Sequence, residues 1–138
     1  MQEWKTEESD DHGRNQPVIF VVDDEPNLLM FVGMVLADGP WTVKQFPAPQ
    51  PAMESFLHAV PKPDLLLTDY LMPSMNGLQL AAYCKERHPA LKVILISGMV
   101  GAEIAKTVPF ELDGFLAKPF APQAILDLVN SVLQTKAS

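Results

Sequence analysis

The sequence has a single cysteine, no basic cluster and no long apolar run. One cysteine, Cys84, excludes an internal disulfide and a zinc site built from several cysteines. It lies within a helical pattern, so we expect it to pack as a small core residue. The longest apolar stretches fall well short of the ~20 residues that a transmembrane helix needs, and the polar N-terminus does not resemble a signal peptide. We therefore expect a soluble protein located in the cytoplasm.

Basic residues are too few and too scattered for a nucleic-acid-binding surface. The chain has 10 Lys and Arg against 17 Asp and Glu, a formal net charge of −7 and a pI of about 4.8. Direct binding to nucleic acid relies on a basic footprint, which is missing here. A Gly-x-Gly-x-x-Gly segment after a strand is missing as well, and this excludes dinucleotide binding of the Rossmann type.

The 138 residues predict one domain behind an acidic tail. Residues 1–16 contain five acidic residues and no apolar period, so we expect this tail to be disordered, with a docking tail as the alternative. Residues 17–135 have the composition of a globular α/β domain. We expect no output domain within the chain.

Short apolar runs alternate with helical patterns throughout the domain. The predicted strands are Val18–Val22, Trp41–Phe46, Leu65–Asp69, Val93–Ile96 and Phe115–Ala117. The predicted helices are Asn27–Ala37, Ala52–Val60, Leu78–Arg87, Gly101–Val108 and a last one that opens at Pro122. This alternation indicates βαβ units and a parallel sheet with helices on both faces. The methionines are expected to pack in the interior, namely Met30, Met34, Met53, Met72, Met75 and Met99.

Polar residues lie at the carboxyl ends of four of these strands. They are Asp23 and Asp24, Asp69, Ser97, and Lys118. The carboxyl ends of parallel strands lie along one edge, where such sheets bind ligands. Three carboxylates repel one another unless a cation lies among them, and Mg²⁺ prefers oxygen ligands of this kind. A hydroxyl and an ammonium nearby would suit phosphoryl oxygens. The set predicts a site where Asp69 attacks phosphorus and becomes an aspartyl phosphate.

Each of these features has a plainer interpretation when it is taken alone. Asp69 could cap the turn that follows it, an Asp-Asp pair often caps a helix, and Lys-Pro is an ordinary dipeptide. The order of the residues, each at a separate strand end, is what favours phosphoryl transfer.

In this order the residues resemble the receiver domain of two-component response regulators, the CheY-like family. The resemblance extends from about residue 17 to residue 134. It is carried by Asp23-Asp24, Asp69 with Met72-Pro73 and Gly77 behind it, Ser97-Gly98, and Phe115 ahead of Lys118-Pro119. The resemblance implies a flavodoxin-like, doubly wound, five-stranded parallel sheet of order 2-1-3-4-5 with five helices.

The resemblance also implies a phosphoacceptor and a metal site. Asp69 would take a phosphoryl group from the phosphohistidine of a sensor histidine kinase or phosphotransfer protein. Asp24, Asp69 and the backbone carbonyl of Leu71 would bind Mg²⁺, and Asp23 would act through water. The output would be a change in contacts with a target protein or with an output domain elsewhere, and homodimers are common in the family.

A switch is implied as well. Ser97 would hydrogen-bond the phosphoryl group and Lys118 would pair with it. Phe115 would be the aromatic side chain that rotates and reports phosphorylation to the face around the fourth helix and fifth strand. The Lys118–Pro119 bond would be cis.

The sequence departs from the common family pattern at some positions. Phe115 lacks the hydroxyl of the frequent Tyr. Leu71 and Met99 lie two residues after Asp69 and Ser97, at positions that influence water access to the phosphoryl group in this family. Both are apolar, so we expect slow self-dephosphorylation, over hours rather than seconds.

Two other function classes share parts of this pattern. A phosphatase of the haloacid-dehalogenase kind needs a second Asp two residues after the nucleophile, and Leu71 occupies that position, so we do not expect an enzyme beyond self-dephosphorylation. A receiver-like interaction module that is not phosphorylated is the other alternative. The chain could also be the receiver part of a larger regulator or hybrid kinase.

Overall fold

The computed structural model describes residues 16–98 and 107–137. The strands are β1 Val18–Val22, β2 Thr42–Phe46, β3 Leu65–Asp69, β4 Lys92–Ser97 and β5 Gly114–Ala117. The helices are α1 Pro26–Leu36, α2 Pro49–His58, α3 Gly77–Arg87 and α4 Pro122–Ala137. Among these helices we find none that is both long and apolar enough to span a membrane.

The five strands form one parallel sheet in the order β2-β1-β3-β4-β5, as predicted. Helices α1 and α4 pack on one face through residues such as Val32 and Val129. Helices α2 and α3 pack on the other face through residues such as Phe56 and Leu80. Two apolar layers therefore enclose the sheet, which is the doubly wound α/β arrangement.

The central strands are buried on both faces. All five residues of β3 are buried, and so are five of the six residues of β4. A strand covered on both faces is largely apolar, which explains the continuous apolar runs Leu65–Leu67 and Val93–Ile96 in place of alternation; the buried polar residues lie at the carboxyl ends of these strands. Cys84 lies in the core between α3 and the sheet, as predicted, and its burial raises the pKa of the thiol to about 12.

Some predicted boundaries were wrong. Helix α2 begins at Pro49, three residues before the predicted start, because proline fits the first helical turn without losing a hydrogen bond. The described residues contain four helices and not the expected five. The helix predicted over Gly101–Val108 falls mostly outside the described residues, and Thr107 lies in a turn.

The predicted burial of the methionines was wrong in α1. Met30 is 62% exposed and Met34 is 69% exposed. Met53, Met72 and Met75 do pack against the core on the α2–α3 side. Met99 lies outside the described residues.

Two aspartates close the amino-terminal edge of the sheet. Asp64 accepts a hydrogen bond from the Val18 amide at 2.8 Å, and its own amide donates to the Val18 carbonyl at 2.8 Å. Asp113 makes the same pair of bonds with Val93, also at 2.8 Å each. These reciprocal bonds fix where neighbouring strands begin relative to each other, and the alignment at the start sets which residues meet at the opposite edge.

Candidate functional site

The pairing of three strands brings Asp69, Ser97 and Lys118 together at the carboxyl edge. Asp69 on β3 lies opposite Ile96 on β4, so Ser97 is one residue further along. Ser97 in turn lies opposite Ala117 on β5, and Lys118 follows directly. The Lys118 amide donates to the Ser97 carbonyl at 2.9 Å, which continues the ladder past the end of β5.

Asp69 and Lys118 form an ion pair at this edge. The Lys118 Nζ atom lies 3.0 Å from Asp69 Oδ1. Asp69 is only 4% exposed, whereas the Lys118 side chain is partly open to solvent. Burial raises the pKa of Asp69, and the hydrogen bond and positive charge of Lys118 oppose that rise. Asp69 is thus a nearly inaccessible carboxyl group beside one accessible cation.

The acid pair after β1 lies beside Asp69. Carboxylate oxygens of Asp23, Asp24 and Asp69 all lie within 4.8 Å of one another. Asp23 is buried and Asp24 is exposed. Burial is the main reason that the pKa of Asp23 rises to about 6; the negative charges of Asp69 and Asp24 add to the rise. The cluster therefore holds more negative charge than Lys118 alone can balance.

One oxygen of Asp23 is unsatisfied. Its Oδ1 atom accepts a hydrogen bond from the Glu25 amide at 2.9 Å. Its Oδ2 atom is buried and has no hydrogen-bond partner within the described part of the chain. A buried acceptor without a partner is costly. An oxygen-seeking cation such as Mg²⁺ would satisfy this atom and reduce the repulsion among the three carboxylates, so the donor set fits the metal expected from the sequence.

Gly77 allows the loop after Asp69 to fold back against the strand. The Gly77 amide donates to the Tyr70 carbonyl at 2.8 Å, and the Tyr70 amide donates to the Ile96 carbonyl at 2.8 Å. A Cβ atom at position 77 would lie 2.2 Å from the Asp69 carbonyl oxygen, which is a severe clash. The sequence marks Gly77 as part of the motif, but only the structure gives the reason for a glycine there.

Side-chain hydrogen bonds hold the rest of this loop. Gln50 at the start of α2 donates to the Ser74 hydroxyl at 2.6 Å. Asn76 and Gln79 form a reciprocal capping box at the start of α3. Sequence reasoning missed these residues. The Asn76-x-x-Gln79 spacing before an apolar helix was a usable signal for the cap, whereas nothing in the sequence links Gln50 to Ser74.

The remaining predicted residues lie as follows. Ser97 is buried, and Phe115 is half-buried on β5 opposite Leu95. The Lys118–Pro119 peptide is cis, which confirms that expectation. Leu71 lies in the loop after β3 and is 60% exposed. Met99 lies outside the described residues.

Comparison with known proteins agrees with this geometry. The family model "Response regulator receiver domain" matches residues 19–130. This chain belongs to that family. The α/β fold, the cluster of Asp23, Asp24 and Asp69, and Lys118 are thus features of a response regulator receiver domain.

The chain is similar to several curated proteins. It is 29% identical over 118 residues to the transcriptional regulatory protein CssR of Bacillus subtilis, covering 84% of this chain and 51% of that protein. It is 28% identical over 133 residues to the sensor kinase CckA of Brucella abortus, covering 96% of this chain and 14% of that protein. It is 30% identical over 118 residues to the regulator NtrC of Escherichia coli, covering 84% and 24%. The chain thus spans about half or less of the length of these relatives.

Solved structures give the same fold. A response regulator receiver domain from Clostridium thermocellum superimposes with a TM-score of 0.79 at 22% identity, covering 88% of this chain and 97% of that one. The BeF3-activated DrrB receiver domain superimposes with a TM-score of 0.75 at 26% identity, covering 86% and 98%.

Proposed function

We propose that this receiver domain accepts a phosphoryl group on Asp69 from the phosphohistidine of a sensor histidine kinase or phosphotransfer protein. The observation that carries the proposal is a buried carboxyl group, Asp69, paired with a partly exposed ammonium, Lys118, within a cluster of three acids. In the transfer, the phosphorus–nitrogen bond of the donor breaks and its electron pair returns to the imidazole. A bond forms between an Asp69 carboxylate oxygen and phosphorus.

Four residues of this chain would hold Mg²⁺ in the proposed site. Asp24 and Asp69 would bind it directly, together with the backbone carbonyl of Leu71, and Asp23 would bind through water. When bound, Mg²⁺ would offset the negative charge on the acceptor carboxylate and the incoming phosphoryl oxygens. The unsatisfied Oδ2 atom of Asp23 supports this assignment.

Three further residues would respond to the phosphoryl group. Ser97, one residue after the Ile96 that pairs with Asp69, would hydrogen-bond a phosphoryl oxygen. The ammonium of Lys118 would shift from the Asp69 carboxylate to pair with the phosphoryl group. Phe115, on the strand that leads to Lys118, would change its rotamer with this shift. The surface around β5 would then differ between the phosphorylated and the unphosphorylated protein.

We propose a cytoplasmic protein in which residues 1–16 form a tail and residues 17–135 form the receiver domain. Its partners would be a phosphodonor protein and either a separate target or an output domain on a longer chain. Homodimerisation is compatible with both arrangements. Its only chemistry would be phosphoryl uptake and self-dephosphorylation. The alternative is an interaction module of the same fold that is not phosphorylated.

Intact-mass measurement with acetyl phosphate and Mg²⁺ tests the acceptor. We expect a gain of one phosphoryl group, about 80 Da, on an aspartate nucleophile. The gain should require Mg²⁺, disappear in Asp69→Asn, and persist in Asp127→Asn, a change at an exposed position on α4.

A second assay separates the two alternatives if no gain is seen. Beryllofluoride imitates the phosphoryl group without a donor, and the related DrrB receiver domain has been described in a BeF3-activated form. Binding of beryllofluoride without uptake from acetyl phosphate would indicate a receiver that accepts only from its own donor. Failure of both would favour the unphosphorylated interaction module.

A further inference from the structure

Helix α1 is a surface helix without a charged residue. Its sequence, Pro26–Leu36, consists of apolar residues, one Gly and one Asn. Its exposed side includes Met30 and Met34, which are 62% and 69% exposed. Large apolar side chains that lie together on a surface usually mark a contact. We therefore expect another group to cover this side of α1.

An apolar groove runs along this side of α1, between the helix and the end of β2. It encloses about 490 Å³ and is lined by Leu29, Met30, Met34, Ala37 and Pro47, with Gln45 and Gly33 between them. Gln45 can lie across the helix because position 33 lacks a side chain: a Cβ atom there would come within 2.3 Å of its Nε2 atom. The Gln45 amide donates to the Leu29 carbonyl at 2.5 Å, which leaves its amide oxygen as an acceptor beside the groove.

The N-terminal segment of the chain leaves the domain close to one end of this groove. The Thr42 amide donates to the Pro17 carbonyl at 2.8 Å, and the Thr42 hydroxyl lies 3.5 Å from the Gln16 side-chain oxygen. The neighbouring Trp41 indole donates to the Leu36 carbonyl at 2.8 Å, at the end of α1. Residue 16 is therefore connected through Thr42 and Trp41 to the Ala37 end of the groove.

We propose that Trp4 of this same chain occupies the α1–β2 groove. Trp4 is the one aromatic residue among residues 1–15. The 12 steps from Trp4 to Gln16 reach up to about 40 Å when extended, and α1 is only about 16 Å long, so the tail is long enough to reach any part of the groove.

The chemistry of the groove suits an indole ring. Methionine side chains adapt their shape and make favourable sulfur–aromatic contacts, and Met30 and Met34 would flank the ring. The amide oxygen of Gln45 would accept the indole N–H, the polar group that a buried Trp must satisfy. The acidic residues between Trp4 and Gln16 would remain in water, and Trp4 would be the point at which the tail contacts the groove. Docking of Trp4 does not require phosphorylation of Asp69.

Fluorescence of the full chain tests the proposal. The sequence has two tryptophans, so the difference between the native chain and Trp4→Phe isolates the emission of Trp4. We expect this emission at a shorter wavelength, and with weaker acrylamide quenching, than that of a free peptide of residues 1–15. Met34→Glu should lower the ratio of docked to undocked Trp4 by about tenfold, which corresponds to the loss of one apolar contact.

The control is Val60→Glu, which puts the same charge at an apolar residue that is 94% exposed outside α1. It should leave Trp4 protected, and Met30→Glu should reproduce the effect of Met34→Glu. Both methionines are exposed, so far-UV circular dichroism should show an intact fold. The proposal is overturned if Trp4 of the native chain behaves like the free peptide, or if both methionine variants leave it protected. Protection that falls on dilution would also overturn it, because the occupant would then come from a second copy.

Discussion

The Lys118 ammonium lies 3.0 Å from Asp69 Oδ1, although Asp69 ends β3 and Lys118 follows β5, and β4 separates these two strands. The side chain of Lys118 therefore reaches across the end of β4 to meet the carboxylate, and Ser97 lies between the two strands at that edge. A phosphoryl group added to Asp69 would therefore contact both Lys118 and Ser97.

Lys118→Met should weaken the binding of beryllofluoride at Asp69 while the protein remains folded. The substitution removes the cation that opposes the raised pKa of Asp69, so that pKa should rise further. A hydrogen bond to a charged group contributes about 1.5–3 kcal/mol, so beryllofluoride affinity should fall by tenfold or more. Calorimetric titration measures the affinity, and Lys44→Met, at an exposed position on β2, is the control. Equal affinities in the two variants would contradict the role of Lys118.

Asp23→Asn should stabilise the protein in the absence of Mg²⁺. The pKa of Asp23 is raised from the ordinary 3.8 to about 6, so between these values the folded state holds more protons than the unfolded state. Stability therefore falls as the pH rises from about 4 to 6. At pH 7 the buried carboxylate costs at most about 3 kcal/mol, from 1.36 kcal/mol for each pKa unit.

Urea denaturation in EDTA measures this effect. The variant should unfold at higher urea than the native chain at pH 7, and its stability should change less between pH 4 and 6. Added Mg²⁺ should stabilise the native chain more than the variant. A variant that is less stable than the native chain at pH 7 in EDTA would show that Asp23 is not a source of strain.

Gly77→Ala should destabilise the fold and disturb Asp69. The new Cβ atom would lie 2.2 Å from the Asp69 carbonyl oxygen. Overpacking of this kind costs about 1–3 kcal/mol. The matched control is Gly98→Ala, whose Cβ atom would lie 4.0 Å from Lys118 Cβ, an ordinary van der Waals distance. Thermal unfolding compares the two, and a similar melting temperature for both variants would argue against close packing at Gly77.

The phosphorylated protein should lose its phosphoryl group over hours. Leu71 presents an exposed apolar side chain two residues after Asp69, where it cannot orient a water molecule by hydrogen bonding. Leu71→Asn should shorten the lifetime several-fold, because an amide can orient an attacking water. Leu57→Asn, at an exposed position on α2, is the control and should change nothing. Mass spectrometry over time after removal of the donor measures the lifetime, and seconds for the native chain would disprove the prediction.

The sequence predicted the sheet and the composition of its carboxyl edge because both depend on local patterns. Strands buried on two faces appear as continuous apolar runs, and β1 begins and ends where that pattern predicted. The order of polar residues at the strand ends placed Asp69 and Lys118 at one edge, and the structure adds their direct contact. The roles of Ser97 and Phe115 remain predictions.

Features that depend on contacts between distant segments could not be predicted. Helix α1 has no charged residue to mark its exposed side, and Met30 and Met34 were wrongly expected inside. The bond between Gln50 and Ser74 joins residues 24 positions apart that follow no spacing rule. The unsatisfied oxygen of Asp23 became evident only once the burial of its neighbours was known.

The reciprocal bonds of Asp64 and Asp113 at the amino edge have a mechanical consequence. They clamp the start of β3 against β1 and the start of β5 against β4, so these strands resist sliding past one another. A change of register by one residue would turn Asp69 toward the opposite face of the sheet. The positions of the acidic residues at the carboxyl edge thus depend on hydrogen bonds at the opposite end of the strands. Weakening these clamps should therefore loosen the geometry around Asp69 without altering any residue that touches it.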